Sequence, residues 1–433
     1  MTIFVRKLYA MFVQIKNILF FILLLGFSYQ GVAQLAVDAE FRPRFEYRHG
    51  YKDLIPKGEN PAAFVSQRSR LNVDLLQSHY RFYMSIQDVR VWGDLPQLSR
   101  HDANGLGLHQ IWAELDLTKY SRLKIGRQEL TLDDARIFGN VDWAQQARSH
   151  DLVLYNWEKG SWTIKAAVAF NQEDELLAGN DYYLQGNYKT LQLLWLHKKW
   201  ENISLSILGL NNGMQYIDTV KRNGVYFSQT LGYHFERTAE SSLLAVKSYY
   251  QMGKNQSGEL LDAYLIGVDY TKDLKSNLSI GFGGELISGN SNGVVKGNTN
   301  RAFEPLYATA HKFNGYMDYF YGGYHNNSVG LIDLNLSIMY DIGDKSDILL
   351  KGHQFLVPSK IDDNEFKKLG TEIDLVFLRK INKEISFLVG YSQVLPQKTL
   401  KDLRGVQATQ INNFGYISLL IRPNLLKMKL TNN

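Results

Sequence analysis

The stretch AEFRPRFEYRHGY, residues 39–51, alternates strictly: Phe41, Pro43, Phe45 and Tyr47 fall on one parity, and Glu40, Arg42, Arg44, Glu46 and Arg48 on the other. Successive side chains of a β-strand point to opposite faces, so this segment forms a ribbon with one apolar and one heavily ionised side. The same period recurs along the chain. RSRLNVDLL sets Arg70, Asn72 and Asp74 against Leu71, Val73 and Leu75; NLSIGFGGEL, LIDLNLSIMYDIG and KEISFLVGYSQ repeat the pattern. Alternation bounded by Gly, Asn and Asp is the mark of strands joined in hairpins. Counting such segments gives about eighteen, give or take two.

Polar gaps at 49–65, 92–105, 131–149, 171–187, 211–223, 288–327 and 396–411 alternate with tight connections such as LTKYSR and NWEKGSW. Long loops at one end and short turns at the other describe an up-and-down transmembrane barrel. A soluble β-sandwich would alternate too, with its apolar face inward. Three features favour the barrel. Residues 1–34 read as a secretory leader, with Arg6, Lys7 and Lys16 preceding the apolar run Ile18–Phe27 and the small-residue site at 31–33. The remaining 35–433 show no domain break, and 26 Tyr and 22 Phe suit two interfacial girdles. Closure also removes the edge strands that an open sheet would have to protect. The expected fold is therefore all-β: a single antiparallel barrel of about eighteen strands, sixteen being the nearest alternative, in the outer membrane of a Gram-negative bacterium.

Without the leader's three basic residues, 45 Lys plus Arg face 43 Asp plus Glu, so no basic stripe suggests a nucleic-acid partner. The absence of cysteine excludes disulfide staples and thiol chemistry. GNSNG at 289–293 matches a nucleophile-elbow pattern, but a Gly/Asn/Ser loop without a following helix does not build one. No cofactor or metal site is expected, and an enzyme is not.

The cations are unevenly distributed. Between residues 35 and 150 there are 12 Arg and 4 Lys; beyond 150 there are 6 Arg and 23 Lys. Arginine grips carboxylates with a planar fork and keeps its charge, whereas lysine is the ordinary solvated cation. Arg42, Arg44 and Arg48, with Arg70 and Arg81 from neighbouring strands, are expected to line a hydrated, anion-preferring wall. In SIQDVRVWGD the parity slips, and a bulge near Asp88 would turn Arg90 into the lumen.

FVSQRSRLN (64–72), YMSIQDVRVWGD (83–94), LHQIWAELDL (108–117), LKIGRQELTLDDARIFGNVDWAQQARSHD (123–151) and LYATAHKFNGYMDYF (306–320) closely resemble the alginate-export family of outer-membrane barrels. The resemblance implies an eighteen-stranded monomer with an arginine-rich pore for a polyuronate or its oligosaccharides. Carried over by motif, Arg68, Arg70, Asp88, Arg90, Arg127, Arg136 and Arg148 would line the pore, with Asp94, Glu114, Asp134 and Asp142 as carboxylate partners. A general porin of other substrate and, at greater distance, a barrel hydrolase are the alternatives. The long polar loop TLDDARIFGNVDWAQQARSHD is expected to fold inward.

Overall fold

The computed structural model describes residues 33–430, apart from 100–101, 103–104, 180–183, 185, 218–222, 321–328, 362–366 and 407–408. The expected leader thus falls, but for its last two residues, outside the described residues. Eighteen antiparallel strands close into one barrel. The first nine are β1 (Ala33–His49), β2 (Ala62–Leu76), β3 (Tyr80–Val91), β4 (Gly107–Thr118), β5 (Ser121–Gln128), β6 (His150–Lys159), β7 (Trp162–Phe170), β8 (Thr190–Lys199) and β9 (Ile203–Ile217). The others are β10 (Asn223–Ala239), β11 (Ser242–Gly253), β12 (Ala263–Lys275), β13 (Leu278–Ile287), β14 (Leu331–Asp341), β15 (Ser346–Leu356), β16 (Lys368–Lys380), β17 (Ile385–Pro396) and β18 (Asn412–Ile421, continued by Asn424–Leu430). The seam closes where β1 pairs with both β2 and β18. Pro423 interrupts β18 because it has no N–H for the ladder; its carbonyl instead accepts from Ala39 N at 3.1 Å. A short helix, α1 (Lys398–Arg404), lies in the last long loop.

The opening ribbon decides which way the wall faces. Phe41, Phe45 and Tyr47 are 37–42% exposed, whereas Glu40, Arg42, Arg44 and Glu46 are 1–8% exposed. Leu71, Leu231, Leu334, Leu336 and Ile338 continue the outward apolar band around the barrel. Such a band can meet lipid, while every backbone polar group finds its partner in the closed ladder.

Two expectations need correction. The gap placed at 211–223 is mostly strand: β9 runs through Ile217 and β10 starts at Asn223, because Asn211 and Gln215 take ladder positions opposite Gln229 and Val225. The interior is also not lined by polar groups throughout. Leu152, Leu154, Leu191, Leu193, Trp195, Leu208, Leu210, Leu265 and Ile287 point inward and are buried. On these strands both parities are apolar, as TLQLLWL shows, because the inner face is covered by protein and not water. The cover consists of two long loops that fold inward, residues 129–149 and 288–320.

Candidate functional site

The inserted loops bind each other before they bind the wall. Tyr307 N donates to Ile137 O at 3.1 Å and Gly139 N to Tyr307 O at 2.8 Å, a parallel bridge inside the barrel, and Thr309 N donates to Ala135 O at 3.0 Å beside it. Phe138, 0% exposed, packs against Tyr307 with tilted rings whose centroids are 5.2 Å apart, and Val141 N donates to Thr309 Oγ1 at 3.1 Å. Leu130, Leu132, Ile137 and Phe303 carry the apolar face of this clasp onto the dry wall, so hydrophobic burial holds it there. Eight of the ten described non-glycine residues with positive φ lie in the two loops, including the β-branched Val141 at 52°. Strained backbone of this kind persists only where its surroundings over-determine it, and it gathers at functional elements.

Charged side chains then fix the clasp across the lumen. At one end Arg136, 1% exposed, makes a two-pronged bond to Glu285 on β13 (Nε–Oε1 2.9 Å, Nη2–Oε2 2.6 Å) and reaches Asn314 Oδ1 in the partner loop at 3.1 Å. Lys247 on β11 donates to Asp134 at 2.8 Å. Burial pushes the Asp134 carboxyl up, but Lys247 and His234 outweigh it and hold the group below its ordinary value. Arg148 donates to Ala308 O at 3.1 Å.

At the other end the loop meets the arginine wall. Arg42 and Arg68 are directly opposed in the β1–β2 ladder, which sets two guanidiniums side by side. Asp142 bridges them, 2.7 Å from Arg68 Nη2 and 3.4 Å from Arg42 Nη1. Burial favours the neutral Asp142, yet the fields of Arg68 and Arg42 keep its carboxyl below the usual range. Arg68 Nε also donates to Glu40 at 2.7 Å, and Arg42 Nε to Gln145 at 3.0 Å. Arg44 donates to Glu46 at 2.8 Å and to Trp143 O at 2.7 Å while its guanidinium lies 4.1 Å over the Trp143 ring. Trp143 is sandwiched, with the His311 ring stacked on its other side at 4.0 Å.

Arg70 differs from these neighbours. Its Nε donates to Gln87 at 2.8 Å, and Gln87 in turn reaches Gln146 O at 3.1 Å, but Arg70 Nη2 has no hydrogen-bond partner among the described residues. Two hollows flank the inserted loop. One, of about 550 Å³, is lined by Arg44, Glu46, Arg48, Tyr51, Lys52 and Asp94 near the long-loop end. The other, of about 320 Å³, is lined by Glu114, Lys124, Glu129 and Lys165 nearer the tight turns.

The strand register moves three of the expected residues away from the lumen. No shift interrupts the β2–β3 pairing, so Asp88 and Arg90 stand opposite Ser69 and Gln67 on the outward parity, and Gln87, Val89 and Val91 take the inward one. Arg90 grips Asp88 with two bonds of 2.7 and 2.6 Å and reaches Asp102 at 2.7 Å outside the wall. The register slip falls instead on β4 at His109, which turns inward and bonds Glu129 at 2.7 Å. Arg127 pairs with Ile111 in the β4–β5 ladder, hence outward, and meets Asp151 at 2.8 Å.

Sequence reasoning missed Glu285, Lys247 and Gln145. A signal existed for the first two: Glu285 is the one charge on the inward parity of NLSIGFGGEL, and Lys247 is a lone charge in LLAVKSYY.

The fold recurs in solved structures at low sequence identity. OccD3 (OpdP) of Pseudomonas aeruginosa superposes with a TM-score of 0.62 at 12% identity, covering 90% of this chain and 92% of its own. OccAB1 of Acinetobacter baumannii gives 0.60 at 13%, covering 90% and 97%. The outer membrane protein OpdK of Pseudomonas aeruginosa gives 0.57 at 9%, covering 92% and 99%. No curated protein matches the sequence. The alginate export family model, in contrast, matches residues 33–414, nearly the whole barrel, and the chain belongs to that family as an outer-membrane β-barrel channel.

Proposed function

We propose that this channel passes an anionic saccharide, an alginate-like polyuronate or its oligosaccharides, along the arginine-lined side of its lumen. The supporting observation is the state of Arg70. The inward arginines of β1 and β2 are otherwise engaged by protein: Arg42 and Arg68 by Asp142, Arg44 and Arg48 by Glu46. Arg70 sits beside the loop with one prong of its fork unmatched. That prong is buried, so a passing carboxylate supplies the missing acceptor as it displaces the cover, and a single charge-assisted contact is weak enough to release. The half-exposed Arg48 in the larger hollow would meet such a chain first.

Oligouronates added to the channel in a planar bilayer are expected to block its current, while neutral oligosaccharides of the same length are not. Arg70→Ala should weaken the block roughly tenfold or more, since a hydrogen bond to a charged group contributes about 1.5–3 kcal/mol. Arg127→Ala, on the outer face, should leave it unchanged. Equal block by charged and neutral sugars, or equal damage from the two substitutions, would rule the reading out.

A further inference from the structure

The tight-turn end of the barrel carries a second feature, on its outer face and away from the lumen. Three consecutive hairpin ends, β4–β5, β6–β7 and β8–β9, share lysines and aromatic rings. Lys119 Nζ lies 4.7 Å from the ring centre of Tyr120, and Lys159, from the next hairpin, lies 5.3 Å from that same ring. Lys198 lies 4.5 Å from Trp162 and 4.9 Å from Trp200. The rings are not buried: Tyr120 is 36% exposed and Trp162 and Trp200 are 44% exposed.

These contacts stitch the hairpins into one strip about six strands wide. Of the other charges on the same turns, Glu158 and Lys199 take the inward parity, where Asn156 donates to Glu158 at 2.8 Å, which leaves Glu201 against three lysines. Two other turns at this end are balanced, Gly343–Asp344–Lys345 and Asn382–Lys383–Glu384.

We infer that this strip is a binding site for the headgroups of anionic phospholipids in the leaflet that faces the tight turns. Its two halves match the two halves of such a lipid. Exposed Trp and Tyr rings settle at the level where acyl chains give way to headgroups, and the lysines beside them stand at phosphate height. Each ammonium already rests on a ring face, an attraction that holds the cation in place yet leaves its N–H donors free for phosphate oxygens. A zwitterionic headgroup carries its own cation and gains little from a strip of lysines; a net-negative one gains from each. The site is independent of what passes through the lumen.

Native mass spectrometry of the full barrel released from detergent tests this directly, with phosphatidylglycerol and phosphatidylcholine of identical acyl chains as probes. The wild-type protein should retain phosphatidylglycerol at least about fivefold better at equal concentration, the effect of one lysine near a charged surface. K119Q/K159Q/K198Q should erase the preference, while K119R/K159R/K198R keeps it. Equal retention of the two lipids by the wild-type barrel overturns the site without any variant, and so does a preference that survives in the glutamine variant.

Discussion

Arg136→Met should open the channel. Arg136 is buried, its two-pronged bond to Glu285 crosses from the inserted loop to the wall, and its third contact holds the partner loop through Asn314. Methionine fills similar volume but leaves Glu285 a buried carboxylate facing Asn314 and, at 3.7 Å, Lys247. Removing one member of a buried ion pair typically costs about 3–5 kcal/mol. The barrel ladder does not involve this side chain, so the loss falls on the docked state of the loops. The variant should keep the heat-modifiable gel mobility of a folded barrel, conduct severalfold more current per channel, and become cleavable by protease within residues 129–149. Unchanged conductance with unchanged protease resistance would show that the ion pair does not hold the loop.

Gly139→Ala attacks the same element from its other side. A Cβ on Gly139 would sit 2.1 Å from Thr309 Oγ1, 2.8 Å from Ala135 Cβ and 2.9 Å from Thr309 N. Two of those contacts are backbone or a branched side chain already committed to the clasp, so the loops must separate. Overpacking of this kind costs about 1–3 kcal/mol, and each hydrogen bond lost with it about 1 kcal/mol more. Since the clasp joins both loops, a methyl group here should expose 301–320 to protease as readily as 129–149. Cleavage confined to 129–149 would mean that the loops dock separately.

These two residues also show what could be read from the sequence. Strand alternation fixes the outward band, so the orientation of AEFRPRFEYRHGY follows from its own parity: lipid rewards only one choice. Arg42, Arg44, Arg68 and Arg70 could be placed inward on that ground alone. Arg90 and Arg127 could not. Their side is set by whether a bulge falls on β3 or β4; it falls at His109, which bonds Glu129 of the inserted loop, a tertiary contact that period-2 reading does not contain. The dry wall was hidden for a related reason. A strand apolar on both faces signals burial on both sides, but only the partner loop reveals that its inner cover is protein. The inward fold of residues 131–151 could be anticipated from length and polarity; its pairing with 306–320, more than 150 residues away, could not.

The proposed function requires the arginine side of the lumen to govern what passes. The most direct measurement is the reversal potential of single channels under a tenfold KCl gradient. The sign that marks chloride as the more permeant ion is predicted, with Arg70→Ala moving the potential towards zero and Arg127→Ala leaving it in place. A potential of the sign set by potassium, indifferent to Arg70, would contradict it.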